Sequence, residues 1–358
     1  MSTNPVRTAN EYVDLAAHYL ARREIDSSLK RSDEALRLGA APVSVAYERW
    51  MCFMLRGEFE RAWRETDCAE AARLRDPAAR EHNERLPLHL RRVWDGTPLE
   101  NRDVLVRCYH GLGDTIQFVR YLLFLKTRVR RVFLQCQREL VPLLASVAGK
   151  DAIFCLEEDA PVGRCVEIEL MEIAYAFRTT LDTIPDRVPY LHLPPPPRAP
   201  KLDPHKRDNR NVGLAWSSGN WDPQRNIPLQ KLALLQDIPQ LRLFSLQRGP
   251  ATVEIAANPG LHITQTEKPH GTIVDTAATI LTLDLVISVD TMVAHLAGAL
   301  GKPVWLLLPF CADWRWMLDR NDSPWYPTMR IFRQPRPSEW DPVARQLAGA
   351  LHDLTGQD

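Results

Sequence analysis

The sequence predicts an α/β protein in which two parallel-sheet domains face each other across a cleft, with an all-helical stretch ahead of them. Three observations carry this. Short runs of branched apolar residues alternate with helical stretches over 104–168 and again over 212–354, the pattern of parallel sheets covered by helices on both faces. A stiff, charged, proline-rich stretch, LPPPPRAPKLDPHKRDNR over 193–210, separates the two alternations. Residues 10–75 carry helical periodicity and repeat on themselves at an offset of 34.

The chain of 358 residues has room for two or three domains. Lys+Arg and Asp+Glu both number 45, so no charge excess points to nucleic acid. The seven cysteines form no CxxC pair, and no apolar run reaches the length of a membrane span. Reduced thiols and a cytoplasmic location are expected. No Cys/His spacing resembles a metal site.

In chain order, residues 1–98 form the helical region. Leu20-Ala-Arg-Arg-Glu-Ile25 aligns with Met54-Leu-Arg-Gly-Glu-Phe59, and Ser28, Leu29 and Ala35 fall on Ala62, Trp63 and Ala69. A 34-residue helix–turn–helix period resembles tetratricopeptide repeats. Two such repeats cannot bury their faces alone, so they are expected to dock on the rest of the chain; a peptide-binding groove is the alternative. His89–Trp94 is a candidate last short helix. Residues 99–197 form the first α/β domain: strands at Val104–Cys108, Val132–Gln135, Ala152–Leu156 and Val166–Ile168, helices at Thr115–Lys126 and Glu139–Val147. The linker covers 198–210. The second α/β domain, 211–358, has strands at Val212–Ala215, Leu241–Leu246, Leu285–Ser288, Val304–Leu308 and Met329–Phe332. Its helices follow Pro228 and span Thr276–Leu283, Met292–Leu300 and Asp341–Leu354, the last with Asp341 as N-cap and Pro342 at its first position.

Four stretches could carry chemistry. Gly111-Leu112-Gly113-Asp114 follows the first strand; its glycines permit a tight turn and close approach of a ligand, and Asp114 either caps the helix or faces the cleft. GxG without a third glycine is not the dinucleotide fingerprint. Asp290 and Thr291 follow the strand ending near Ser288, at the head of a helix whose first amides, Thr291 to Val293, suit a phosphate; Asp290 suits sugar hydroxyls. His295, one turn into that helix, is either a packed core residue or part of the site. Ser217-Ser218-Gly219-Asn220 with Arg225 could clamp a phosphate. Asp313-Trp314-Arg315-Trp316 could stack on a base or form a structural cluster.

GLGD after the first α/β strand and ISVDTMVAHLAGALGKPVWLLLPF over 287–310 together resemble the ADP-heptose:lipopolysaccharide heptosyltransferase family, glycosyltransferase family nine. The likeness is closer to the bacterial branch with tetratricopeptide repeats ahead of the transferase, which DWRWMLDR and SPWYPTMRIFRQ also resemble. The resemblance implies the GT-B architecture of two Rossmann-like domains, with the acceptor on the first and the nucleotide sugar on the second. It implies an inverting, metal-independent transfer needing no cofactor beyond the nucleotide-diphosphate sugar donor. Asp114 would be the general base, with Gly111, Leu112 and Gly113 shaping its loop. Asp290 would contact the donor sugar, Thr291, Met292 and Val293 the diphosphate, and His295, Arg225, Ser217 and Ser218 would complete the donor side. The acceptor stays open among a glycan, a protein and a small molecule. Two other readings also stay open: an interaction protein that uses its repeats to hold a protein partner, and a sugar-nucleotide epimerase or hydrolase on the same fold.

Overall fold

A computed structural model describes residues 7–160, 162–193, 209–219, 222–266 and 271–356. Almost all of the expected linker lies outside them, as does Asn220. The chain divides into two compact units.

One unit takes the described residues of Met1–Arg92 together with Glu172–Ile184 and Cys311–Asp319. Its helices are α1 (Ala9–Ala21), α2 (Ile25–Arg37), α3 (Ala46–Leu55), α4 (Phe59–Arg75) and α5 (Pro77–Arg85). Thr8 opens α1 with a capping box to Glu11, and Asp76 caps α5 on the Ala78 amide. The starts of α2 and α4, Ile25 and Phe59, stand 34 residues apart. His89–Trp94 does not form the expected helix; a single 3₁₀ turn at Leu88–Leu90 follows Pro87.

The two inserted segments complete this unit's core. Trp314 lies edge-on to Trp50 and Phe59, with ring centroids 5.6 and 6.3 Å apart. The Leu318 amide donates to the Leu55 carbonyl at 2.9 Å. Trp63 Nε1 donates to the Thr179 carbonyl at 2.7 Å, and Asp67 accepts from Tyr175 at 2.7 Å and from Arg178 at 2.6 Å. Helical pairs that cannot bury their faces alone are thus covered by later parts of the same chain. Segments 172–184 and 311–319, expected in the α/β domains, pack in this unit instead. Trp314 and Trp316 are buried, so they form a structural cluster rather than a stacking platform for a base.

The other unit holds both sheets. The first has four parallel strands in the order β3-β2-β1-β4: β1 (Asp103–Arg107), β2 (Arg131–Cys136), β3 (Ile153–Cys155) and β4 (Val166–Glu169). The second has six, in the order β10-β9-β8-β5-β6-β7: β5 (Arg210–Ala215), β6 (Leu241–Ser245), β7 (Ile263–Gln265), β8 (Leu285–Val289), β9 (Val304–Leu308) and β10 (Met329–Arg333). All pair in parallel. Val104, Val106, Val212, Leu214 and Val286 are fully buried, as parallel strands covered on both faces require. Each such side chain contributes about 1.5–3 kcal/mol of burial. Gly213 in β5 is there for space: a Cβ would sit 2.6 Å from both Leu246 and Leu283.

The helices differ from expectation where local chemistry intervenes. The predicted Thr115–Lys126 helix starts earlier and is split into α6 (Leu112–Phe118) and α7 (Tyr121–Leu125). Arg120 Nε takes the Gln117 carbonyl at 2.7 Å, so that oxygen is not left to the helical ladder. Pro142 sits in the first turn of α8 (Val141–Ala148), which follows a 3₁₀ turn at Arg138–Leu140. The short α9 (Glu172–Ala176) belongs to the helical unit, and α10 (Glu254–Ala257) follows β6. The segment after Pro228 is a 3₁₀ helix, Leu229–Asp237. Its buried Leu229, Leu232 and Leu235 recur every third residue, the period of that helix. Thr272 opens α11 (Ile273–Thr282) with a capping box to Asp275, three residues before the predicted start. Thr291 caps α12 (Met292–Ala299). The last helix, α13 (Trp340–Thr355), is not capped by Asp341; that carboxylate pairs with Lys231 at 2.6 Å instead. Among the described residues, no helix is long and apolar enough to cross a membrane.

Candidate functional site

In each sheet the chain starts at an inner strand, runs outward in one direction, and later returns to the other side. β1 lies between β2 and β4, and β5 between β6 and β8. Loops leaving the carboxyl ends of strands at such switch points are where open α/β sheets form ligand crevices. Gly111–Asp114 leaves β1, Trp216–Asn226 leaves β5, and Asp290–Thr291 leaves β8. Three of the four predicted stretches therefore occupy switch points.

On the first sheet, α6 begins at Leu112 with Gly111 as N-cap, and the Asp114 carboxylate accepts the Gly111 amide at 3.1 Å. Asp114 is half-buried. Gln137, past the end of β2, ties down both ends of the loop: its Nε2 donates to the His110 carbonyl at 2.5 Å, and its Oε1 accepts from the Thr115 hydroxyl at 3.1 Å.

On the second sheet, Asp290 is 2% exposed. Its Oδ2 lies 3.6 Å from Arg225 Nη1 and its Oδ1 lies 3.5 Å from His295 Nε2. His295 is buried, and its Nδ1 lies 3.0 Å from the Tyr326 hydroxyl. The Thr291 hydroxyl accepts the Val293 amide at 3.1 Å. A phosphate at this helix end would thus compete with the cap for the Val293 amide.

The two sides meet at Gly113. A Cβ there would stand 2.9 Å from His295 Cδ2 and 3.5 Å from the Met292 Cα. The absence of a side chain lets the first turn of α6 rest on the first turn of α12. Asp114 thereby stands next in sequence to the residue that touches His295, and His295 faces Asp290.

Ser217 is held by Gln247 from beyond β6, and Ser218 by Asn226 of its own loop. The Ser217 amide donates to Gln247 Oε1 at 2.8 Å, and the Gly219 amide reaches the Ser217 hydroxyl at 3.3 Å. The Ser218 amide and hydroxyl both point at Asn226 Oδ1, at 2.8 and 3.1 Å. The loop is braced by Gln247 and Asn226, and its contribution to the cluster comes through Arg225. Asn220 lies outside the described residues.

Three contributors were not among the predicted site residues. Gln247 accepts the Trp216 and Ser217 amides and so sets the path of the loop. Gln137 sets the Asp114 loop, and Tyr326 holds His295. Gln137 and Gln247 leave one faint signal, a polar residue just past an apolar strand.

No protein-family model matches the chain. Protein FlbA of Caulobacter vibrioides is 24% identical across an alignment of 372 positions, which takes in 92% of this chain and 59% of FlbA. The chain thus spans about three fifths of the length of that curated relative. Among solved structures, a glycosyl transferase family 9 protein from Veillonella parvula aligns with a TM-score of 0.47 at 11% identity, over 73% of this chain and 99% of that one. The E. coli heptosyltransferase WaaC, solved with ADP-2-deoxy-2-fluoro heptose, aligns with a TM-score of 0.44 at 12% identity, over 70% of this chain and 99% of its own.

Proposed function

We propose that this protein is an inverting, metal-independent glycosyltransferase that moves a sugar from a nucleotide-diphosphate donor to an acceptor hydroxyl. The observation that carries the reading is the meeting of the two switch-point loops at Gly113, which brings the loop of a half-buried carboxylate against buried Asp290 and His295, with the half-buried Arg225 beside them. The motif resemblance of Gly111–Asp114 and of 287–310 supports the same reading.

In this proposal Asp114 takes the proton of the acceptor hydroxyl as its oxygen attacks the anomeric carbon. The bond from that carbon to the diphosphate oxygen breaks on the opposite face, and the electron pair leaves with the diphosphate. Arg225 and the amides at the start of α12 stabilise the departing charge. Asp290 accepts hydrogen bonds from hydroxyls of the donor sugar. A heptose is the donor sugar that the motif resemblance suggests.

The helical region bears on the interaction-protein alternative. Leu55, Phe59 and Trp63 are covered by 172–184 and 311–319 of the same chain, so that face of the helices is already occupied. We assign the tetratricopeptide-like helices a structural part in the enzyme.

The test is a thermal-shift titration of wild type and Asp290→Ala with ADP-, UDP-, GDP- and dTDP-sugars. A ligand that binds the folded state alone raises the midpoint by mass action. The expected result is a rise with one donor that Asp290→Ala loses. No rise with any of them would overturn the proposal.

A further inference from the structure

A chain of buried polar side chains runs beneath the candidate site and takes no part in the proposed chemistry. Arg120 is 1% exposed and lies between the rings of Tyr190 and Tyr326, at 4.5 and 4.4 Å from their centroids. Besides the Gln117 carbonyl, its guanidinium donates to the Pro185 carbonyl at 3.2 Å, to the Trp325 carbonyl, and to the Tyr190 hydroxyl at 2.9 Å. The Tyr190 hydroxyl itself donates to the Ile116 carbonyl at 2.9 Å. A buried guanidinium is costly unless its donors are met. This one is met by oxygens from four places in the chain, so it is a built feature of the fold.

The network ends at His295. The Tyr326 hydroxyl lies 3.0 Å from Nδ1, and Asp290 Oδ1 lies 3.5 Å from Nε2. Burial raises the Tyr326 phenol well above the ordinary tyrosine range, so it keeps its proton. The acceptor at hydrogen-bond distance for that proton is His295 Nδ1, at 3.0 Å. The Tyr190 oxygen already receives an Arg120 N–H, and the imidazole nitrogen is the stronger base. At the other side of the ring, a carboxylate repels a nitrogen lone pair and attracts an N–H. Both contacts select the same tautomer.

We infer that Tyr326, backed by Arg120, is a positioning residue that holds His295 with its proton on Nε2, directed at Asp290. His295 is faced by Asp290 from the loop after β8, with Arg225 beyond it, by Tyr326 from the loop before β10, and by Gly113 in the first turn of α6. Asp290 then faces an N–H 3.5 Å from one oxygen and the Arg225 cation 3.6 Å from the other, and its orientation is favoured from both sides. The tautomer holds whatever ligand the site takes; its effect on donor affinity rests on the proposed function. The Tyr326 ring seat is itself shaped by a glycine: a Cβ on Gly298 would stand 2.5 Å from Tyr326 Cδ1.

The experiment is two-bond ¹H–¹⁵N NMR on the full chain labelled with ¹⁵N-histidine, at about pH 8.5, above the ordinary titration range of imidazole. The His295 signals are identified by their loss in His295→Gln. Wild type should show the proton on Nε2. Tyr326→Phe keeps the ring and removes the oxygen, and should shift His295 toward a mixture of tautomers. Gly298→Ala, which displaces the ring instead, should do the same. A wild-type proton on Nδ1, or an unchanged pattern in both variants, would overturn the inference. Donor affinity of Tyr326→Phe should fall about 5- to 10-fold, the worth of one hydrogen bond. If the tautomer is as stated and no sugar nucleotide binds wild type, the proposed function fails and the tautomer assignment stands.

Discussion

Asp114 and Asp290 each follow an inner parallel strand beside the switch point of its sheet, β1 in one and β8 in the other, and are held in opposite ways. Each stands at or near the head of a helix. Asp290 is buried between Arg225 at 3.6 Å and His295 at 3.5 Å. Asp114 is half-buried, and one of its oxygens accepts the Gly111 amide at 3.1 Å. A carboxylate braced from two directions suits binding, because its orientation is fixed. A carboxylate with solvent access can take up a proton and release it, which suits a general base.

The largest effect expected from this contrast is in Asp114→Asn. Transfer should fall by about 10²- to 10⁴-fold, the usual worth of general-base catalysis, while donor affinity stays within about twofold. Single-turnover rates set beside calorimetric donor titrations read both quantities. Unchanged turnover would remove Asp114 from the base position. Asp290→Asn should show the reverse weighting, with donor affinity falling by about 10- to 100-fold as charge-assisted hydrogen bonds are lost. If the two substitutions give the same pattern, the contrast between the carboxylates has no functional meaning.

The contrast was only half legible in the sequence. Parallel strands such as β1, β5 and β8 are buried on both faces, so their apolar runs are continuous and stand out against the loops. The loops that leave them therefore fall at the right places, and Asp114, Asp290, Thr291 and Arg225 could be picked out as candidates. What held each carboxylate was not legible. Tyr326 is 31 residues from His295, and Gln247 is 30 from Ser217; such pairings leave no local periodicity. Nor does any run of residues show that Arg120 takes the Gln117 carbonyl and breaks the helix. The inserted segments 172–184 and 311–319 were misassigned for the same reason, since their aromatic partners lie more than a hundred residues away.

Gly113 tests whether the two sides must touch. An added Cβ would press on His295 Cδ2 at 2.9 Å, with the Met292 backbone behind it. Gly113→Ala should lower stability by about 1–3 kcal/mol, as for an overpacked contact, and should slow transfer more than it weakens donor binding. Denaturant unfolding gives the first quantity, and the split between kcat and KM gives the second. A fully stable, fully active Gly113→Ala would show that the close approach of α6 and α12 is dispensable.

A third carboxylate supplies the control. Asp103 stands at the opposite end of β1 from Asp114, where its two oxygens accept from Arg130 at 2.8 and 2.7 Å and from Arg131 Nε at 3.2 Å. Hydrogen bonds from Arg130, then Arg131, hold its carboxyl well below the usual range. A group depressed in the folded state adds stability at pH values above its unfolded pKa, about 3.9 for Asp. That contribution is lost as acid carries the pH down through the folded value. Asp103→Asn should therefore lower Tm at neutral pH by a small amount, because both arginines are largely exposed and solvent screens them. The gap to wild type should shrink below about pH 4. Transfer rate and donor affinity should not change. Loss of activity in Asp103→Asn would mean that position at the switch point does not separate Asp114 and Asp290 from a carboxylate at the far end of β1.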